Sequence, residues 1–198
     1  AYGVGSLGVQ NVASKAYVCR GVLLNAAKYR GVDMLPIPKG GNRTDPGNVN
    51  DDDIKGIVRA QGMREIGEAD CVFIYTGWGN VWSPVGWDDY SAEEKQKRIV
   101  KFNSGAPGWG ISGCRYLASR KIAMTGGDTW PNDAVPAERD GWPFECHPYL
   151  QTGLGIWNLE NLQFVDLLAD GTNEFLFVWS PLRIKGGTGS PGNPVAIW

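Results

Sequence analysis

Two runs along the chain are nearly continuous in apolar residues: AYVCRGVLLN (16–25), ending in Val22-Leu23-Leu24, and DCVFIYTGW (70–78). Such runs, without polar alternation, predict strands covered on both faces. Between them a Pro/Gly-rich connection, MLPIPKGGNRTDPGN (34–48), leads into NDDDIKGIVRAQGM (50–63). There an Asn/Asp cluster offers an N-cap and early carboxylates suit the positive end of a helix dipole, predicting a helix over 51–61. SAEEKQKRIV (91–100) has the Ser-x-x-Glu form of a capping box, Ser91 with Glu94, and predicts a short surface helix. WGISGCRYLASR (109–120) reads as a helix feeding the short strand KIAMTGG (121–127). HPYLQTG (147–153) and LENLQFVDLLAD (159–170) read as short helices, the second with Leu162, Val165, Leu168 and Ala169 on one apolar face. EFLFVWSPLRIKGG (174–187) supplies strand residues broken at Pro181, and PVAIW (194–198) closes the chain. Strands and helices alternate, but the late strands follow each other closely. An α/β fold with a mixed sheet and flanking helices fits this order better than a regular parallel barrel.

At 198 residues the chain is expected to form one domain, 1–198, large enough to bury a substantial core. Its formal net charge of −2 comes with no basic cluster, which argues against nucleic acid and anionic membrane as partners. No apolar run approaches the roughly 18 residues needed to span a bilayer. The opening AYGVGSLGVQ lacks a charged segment followed by an apolar one. The four cysteines, Cys19, Cys71, Cys114 and Cys146, are scattered without a CxxC pair, and three sit inside apolar or helical stretches. They are expected to be buried free thiols in a reducing compartment, and the protein cytoplasmic. The 28 glycines and 9 tryptophans point to tight turns and to aromatic packing or pocket walls.

Candidate chemistry is sparse. GVGSLG (3–8) is only loosely like a nucleotide loop, with no preceding strand and no lysine in the P-loop position. GGTGSP (186–191) lacks P-loop spacing and reads as a tight turn that brings backbone close to a pocket. Asp128, in GGDTW (126–130), follows a β-rich run, where it could reach a site at the strand's carboxyl end or simply cap its own turn. Trp78 and Trp82, in TGWGNVW (76–82), could wall an apolar pocket or pack in the core. His147, the only histidine, stands thirteen positions before Glu160. Imidazole nitrogen and carboxylate oxygen can both hold a divalent cation, yet a catalytic centre needs about three protein ligands and an open position. From spacing alone, a structural histidine at a helix start is the competing reading.

Five blocks in order, CRGVLLN, ADCVFIYTGW, GGDTW with VPAE (135–138), FECHPYLQTGLGIWNLENL and PLRIKGGTGSPGNPVAI, resemble the metal-dependent cyclase family, which includes bacterial kynurenine formamidases and isatin hydrolases. The resemblance implies an α/β fold with a swivelled, barrel-like mixed β core and flanking helices. It also implies assembly as a homo-oligomer, and a divalent metal, zinc or manganese, that activates water against a cyclic amide, lactone or N-formyl amide. By position, His147 and Glu160 correspond to the family's late His and Glu at the metal. In that reading Asp128 and Thr129 support the site, and Trp78 and Trp82 line a pocket for a small cyclic or aromatic substrate. The Gly187-Thr188-Gly189-Ser190 turn shapes its floor or a subunit contact. The family's early H-x-G-T-H-x-D motif is not in this sequence, whose opening AYGVGSLGV resembles the segment just downstream of it. With a single histidine the chain cannot carry that motif elsewhere. The expectation is therefore an N-terminally incomplete fold: the C-terminal portion of a hydrolase, completed by a missing segment or a partner chain that covers the exposed sheet edges. The alternatives are a structural or assembly subunit without catalysis, and a protein that binds a small molecule without turning it over.

Overall fold

The computed structural model describes residues 8–82 and 86–198; of GVGSLG, only Gly8 falls within them. The first half of the described chain runs α1 (Val9–Val12), β1 (Tyr17–Asn25), α2 (Ala26–Tyr29), β2 (Asn48–Val49), α3 (Asp51–Ala60), β3 (Cys71–Tyr75), α4 (Gly79–Trp82) and α5 (Ala92–Asn103). It continues through β4 (Gly108–Trp109), α6 (Ile111–Ser119), β5 (Met124–Gly127), a π-helical turn at His147–Thr152, β6 (Trp157–Leu159), α7 (Val165–Ala169), β7 (Glu174–Trp179) and β8 (Val195–Ile197).

Six strands form one mixed sheet in the order β6-β5-β3-β1-β7-β8. The first four are mutually parallel, whereas β7 and β8 join antiparallel. The two apolar runs become the central pair β1 and β3, in register Val22↔Val72 and Leu24↔Ile74. Alternate side chains enter two cores. Val22, Leu24, Val72 and Ile74 pack under Ile54, Ile57 and Val58 of α3 and Ile111, Cys114 and Leu117 of α6. Leu23, Cys71 and Phe73 face the other way, against Phe164, Leu167, Phe175, Phe177 and Trp179. Each such side chain contributes roughly 1.5–3 kcal/mol relative to leaving it in water.

The helices begin where the sequence offers caps. Asn50 and Asp53 form a reciprocal capping box at α3. At α5 the Ser91 hydroxyl accepts from the Glu94 N–H at 3.1 Å, and the helix continues to Asn103, longer than its capping signal alone predicts. The tail of the chain departs further from periodicity. The stretch 159–170 is split: Leu159 ends β6, the irregular residues 160–164 follow, with the Leu162 N–H donating to Gly127 O at the end of β5, and only Val165–Ala169 is helical. The buried face is accordingly Phe164 and Leu167, while Val165 is exposed. Helical periodicity fails here because pairing of β6 with β5, Thr125↔Asn158 and Gly126↔Leu159, takes Leu159 into the sheet.

The cysteines also differ from expectation. Cys19 is bonded to Cys71 and Cys114 to Cys146, and no free cysteine remains. Sequence distance concealed both pairs: β1 and β3 are adjacent, so residues 52 apart in sequence lie 6.1 Å apart at Cα, and packing of α6 against the His147 turn joins the second pair. Free thiols thus give no support to a reducing compartment. No helix among the described residues is long and apolar enough to cross a membrane.

Two outcomes follow from this core. Leu24→Ala, which empties a fully buried position between β1 and the helices, is expected to lower unfolding free energy in urea by about 2–5 kcal/mol. Thiol labelling in denaturant without reductant should modify no cysteine, and labelling after reduction all four; four labels before reduction would contradict the two disulfides.

Candidate functional site

Because β1, β3, β5 and β6 run parallel, their carboxyl ends share one edge of the sheet, and Asn25, Tyr75, Gly127 and Leu159 mark it. Thr76, Asp128 and Glu160 follow directly, at the edge where open α/β sheets gather their sites.

His147 opens the π-helical turn and is held from both sides. Its Nδ1 lies 2.9 Å from Asp133 Oδ1, and its Nε2 lies 3.1 Å from Glu160 Oε1. Asp133 is nearly buried, whereas Glu160 is 38% exposed, so the arrangement leads from the interior to solvent. The Asp133 carboxylate is itself fixed: its Oδ2 accepts from the backbone N–H of Cys146 at 2.9 Å and of His147 at 3.3 Å. The segment carrying Asp133 runs along β4, with the Trp109 N–H donating to Asn132 O at 2.7 Å and the Ala134 N–H to Trp109 O at 3.0 Å. The Cys114–Cys146 bond ties the residue before His147 to α6. Phe144 sets its ring edge-on to the imidazole at 5.9 Å.

Thr129 joins the site through a chain of amides. Its hydroxyl accepts from the Asn132 N–H at 3.0 Å, and the Asn132 amide donates to Asn158 Oδ1 and to Leu159 O, both at 2.7 Å. The Asn158 amide then donates to Glu160 Oε1 at 3.0 Å. Asp128 does different work. It is buried, and its carboxylate accepts from the Thr76 N–H and hydroxyl at 2.9 and 2.7 Å and from the Gly79 N–H at 3.2 Å, tying the end of β5 to the start of α4. Burial raises its pKa against the pull of those donors.

The two tryptophans separate. Trp78 is buried in a satellite cluster with Val81, Phe102 and Ala106. Trp82 is 43% exposed and stacks on Trp87, ring centroids 4.6 Å apart. It walls a cleft of about 550 Å³ whose lining includes Tyr75, Phe102, Asp128, Asn161 and Phe164. The stretch 187–190 lies elsewhere: Gly187 O accepts from the Val9 N–H at 2.8 Å, and the Ser190 hydroxyl accepts from the Leu182 N–H at 2.9 Å. It lines neither that cleft nor the groove of about 430 Å³ beside Glu160, which Gly192, Asn193 and Pro194 border instead. Asp133, Asn132 and Asn158 were not anticipated; polar residues in a loop and a short strand carry no periodic signal, and only the fold sets them beside His147.

Electrostatics favour a charged imidazole in the metal-free chain. Burial alone would lower the His147 pKa, but the hydrogen bonds and charges of Asp133 and Glu160 outweigh it and push the value up to about 9. Burial raises the Asp133 carboxyl against the opposing pull of its hydrogen bonds to His147 and the backbone. Among the described residues no three His, Cys, Asp or Glu side chains converge as a metal-binding group.

The family model described as putative cyclase matches residues 3–134, and the chain belongs to that family. The match stops before His147. No curated protein matches the chain significantly. Solved structures agree on the fold. A novel cyclase is 22% identical, covering 96% of this chain and 56% of its own, with a TM-score of 0.74. Isatin hydrolase A from Ralstonia solanacearum is 21% identical over 91% of this chain and 60% of its own, TM-score 0.62. A predicted metal-dependent hydrolase from Bacillus stearothermophilus is 18% identical over 91% and 63%, TM-score 0.53. The chain thus spans about three fifths of the length of these structures. The expected α/β fold, a mixed sheet flanked by helices, is the one they share.

With one histidine, proton NMR reads the site directly. In chelator-treated protein the His147 ring should titrate near 9, and Asp133→Asn should bring it back toward the ordinary 6.5. Since the folded-state value is the higher one, protonated His147 adds stability that is complete below about pH 6.5 and lost as pH rises through about 9. A wild-type ring titrating at 6.5 and unmoved by Asp133→Asn would show that Asp133 does not engage it.

Proposed function

We propose that the chain carries part of the centre of a metal-dependent hydrolase, with His147 Nε2 and Glu160 Oε1 as two ligands of a divalent cation, zinc or manganese. The observation that supports this most is the bracketing of one imidazole between a buried and an exposed carboxylate. Asp133 binds Nδ1, the arrangement commonly found behind metal-bound histidine, so that Nε2 directs its lone pair at the edge of the sheet once deprotonated. Asn158 holds Glu160 from the side. An imidazole nitrogen and a carboxylate oxygen 3.1 Å apart suit either metal as donors, and they form an incomplete set. In this reading the remaining ligands, of the H-x-G-T-H-x-D type, come from polypeptide outside residues 1–198, on a partner chain or a further segment, and the assembly is oligomeric.

When bound, the cation would polarise a carbonyl and bring the pKa of a water toward neutrality. The residues of this chain supply orientation. Asp133 fixes the imidazole, the Thr129-Asn132-Asn158 series fixes Glu160, and the cleft beside Asp128 offers Trp82 and Phe102 to a small cyclic or aromatic substrate. The bond attacked is that of a cyclic amide, lactone or N-formyl amide, a class that includes the isatin lactam.

Calorimetric titration tests the ligands. Zinc or manganese should bind weakly, one ion per chain, more tightly as pH rises because His147 must lose its proton. His147→Ala or Glu160→Gln should weaken binding at least about tenfold, and Asp133→Asn by about tenfold. Equal affinity in wild type and both ligand variants would remove the reading, as would full hydrolytic activity of the 198-residue chain alone.

A further inference from the structure

We propose that the two disulfides have separate duties: Cys19–Cys71 secures the core, and Cys114–Cys146 is the positioning element of the His147–Glu160 pair. Its effect on a metal rests on the reading of that pair as ligands; the setting of the ring stands on geometry alone.

The turn that carries His147 begins without a side-chain cap, and Pro148 follows with no N–H to donate. The first N–H groups of a helical turn have no partner inside it, and here Asp133 provides one. Its Oδ2 accepts from the Cys146 and His147 N–H groups at 2.9 and 3.3 Å, while its Oδ1 lies 2.9 Å from Nδ1 of the ring. The aim of the imidazole therefore depends on where Asp133 and Cys146 stand relative to each other. One continuous unit fixes both. Trp109 of β4 pairs with Asp133, and α6, which starts after Gly110, bonds Cys146 through Cys114. Both cysteines are buried. Upstream the chain is loosely held: the Ser112 N–H and hydroxyl donate to Glu138 at 3.1 and 2.8 Å, residues 139–143 are then exposed, and burial resumes only at Glu145. The chain reaches the turn from an exposed loop, and the sulfur bridge is the covalent tie that anchors it again. The other disulfide is placed differently, since Cys71 opens β3 at the amino end of the sheet and Glu160 leaves β6 at the carboxyl edge.

Comparing the two bonds tests this. In chelator-treated protein at one pH, the His147 ring resonances should shift or broaden in Cys114→Ala/Cys146→Ala and stay in place in Cys19→Ala/Cys71→Ala. Zinc affinity should fall about tenfold in the first variant and hold in the second. A ring signal or a zinc affinity unmoved in the first variant, or equal changes in both variants, would overturn the proposal. A wild-type chain that takes up no zinc would remove the ligand reading and leave the ring signal to decide the positioning. Hydrogen exchange in the wild type decides even if the first variant does not fold. The Cys146 and His147 amides should exchange as slowly as those of α6, and exchange as fast as that of residues 139–143 would overturn the proposal.

Discussion

Parallel pairing of β1 with β3 is the constraint from which the rest of the architecture follows. Where they pair, residues 21–24 of β1 and 71–74 of β3 are buried, so alternate residues must find a core on either face, and the register Val22↔Val72 assigns one set to the α3–α6 layer and the other to the aromatic cluster. A parallel pair requires a crossover, and the chain between them supplies α3 as its cover. β5 and β6 then add parallel to β3, while β7 and β8 fill the opposite edge antiparallel. The same pairing brings Cys19 and Cys71 within bonding reach.

Parallel strands bring their carboxyl ends together, and this concentrates polar side chains at one edge. Asp128 and Glu160 both leave the sheet there but meet opposite fates. Asp128 turns inward and is consumed by Thr76 and Gly79, which makes it a brace. Glu160 stays half exposed and meets His147, which comes from a different connection altogether. Asp133 is the residue that makes this meeting directional. With one oxygen on two backbone N–H groups and the other on Nδ1, it permits little rotation of the ring.

The chain belongs to the putative cyclase family and shares its fold with an isatin hydrolase, while it spans about three fifths of such structures. Its described residues contain a histidine with two carboxylate neighbours, a supporting amide series and an aromatic cleft. The Phe73, Phe164, Phe175 and Phe177 side chains line a groove that reaches Glu160, so apolar surface meets that carboxylate at one place.

What was legible in the sequence was whatever local pattern controls. Continuous apolar runs marked β1 and β3, Asn50 and Ser91 marked helix starts, and the order of blocks led to the family and to His147 with Glu160. Where tertiary pairing competes with local pattern, the pattern misled: β6 took Leu159 out of the helix-like stretch 159–170, and the apolar face of α7 moved to Phe164 and Leu167. Trp78 and Trp82, four residues apart and alike in composition, were separated into core and cleft by the turn of α4. The two disulfides and the role of Asp133 lay wholly beyond sequence reading. Each joins residues from different elements, and nothing in spacing records a distance that only the folded sheet creates. The sequence by itself determined which groups could do chemistry; the tertiary structure decided which of them touch, because hydrogen bonds and ion contacts act over about 3 Å and chain neighbours do not choose those partners.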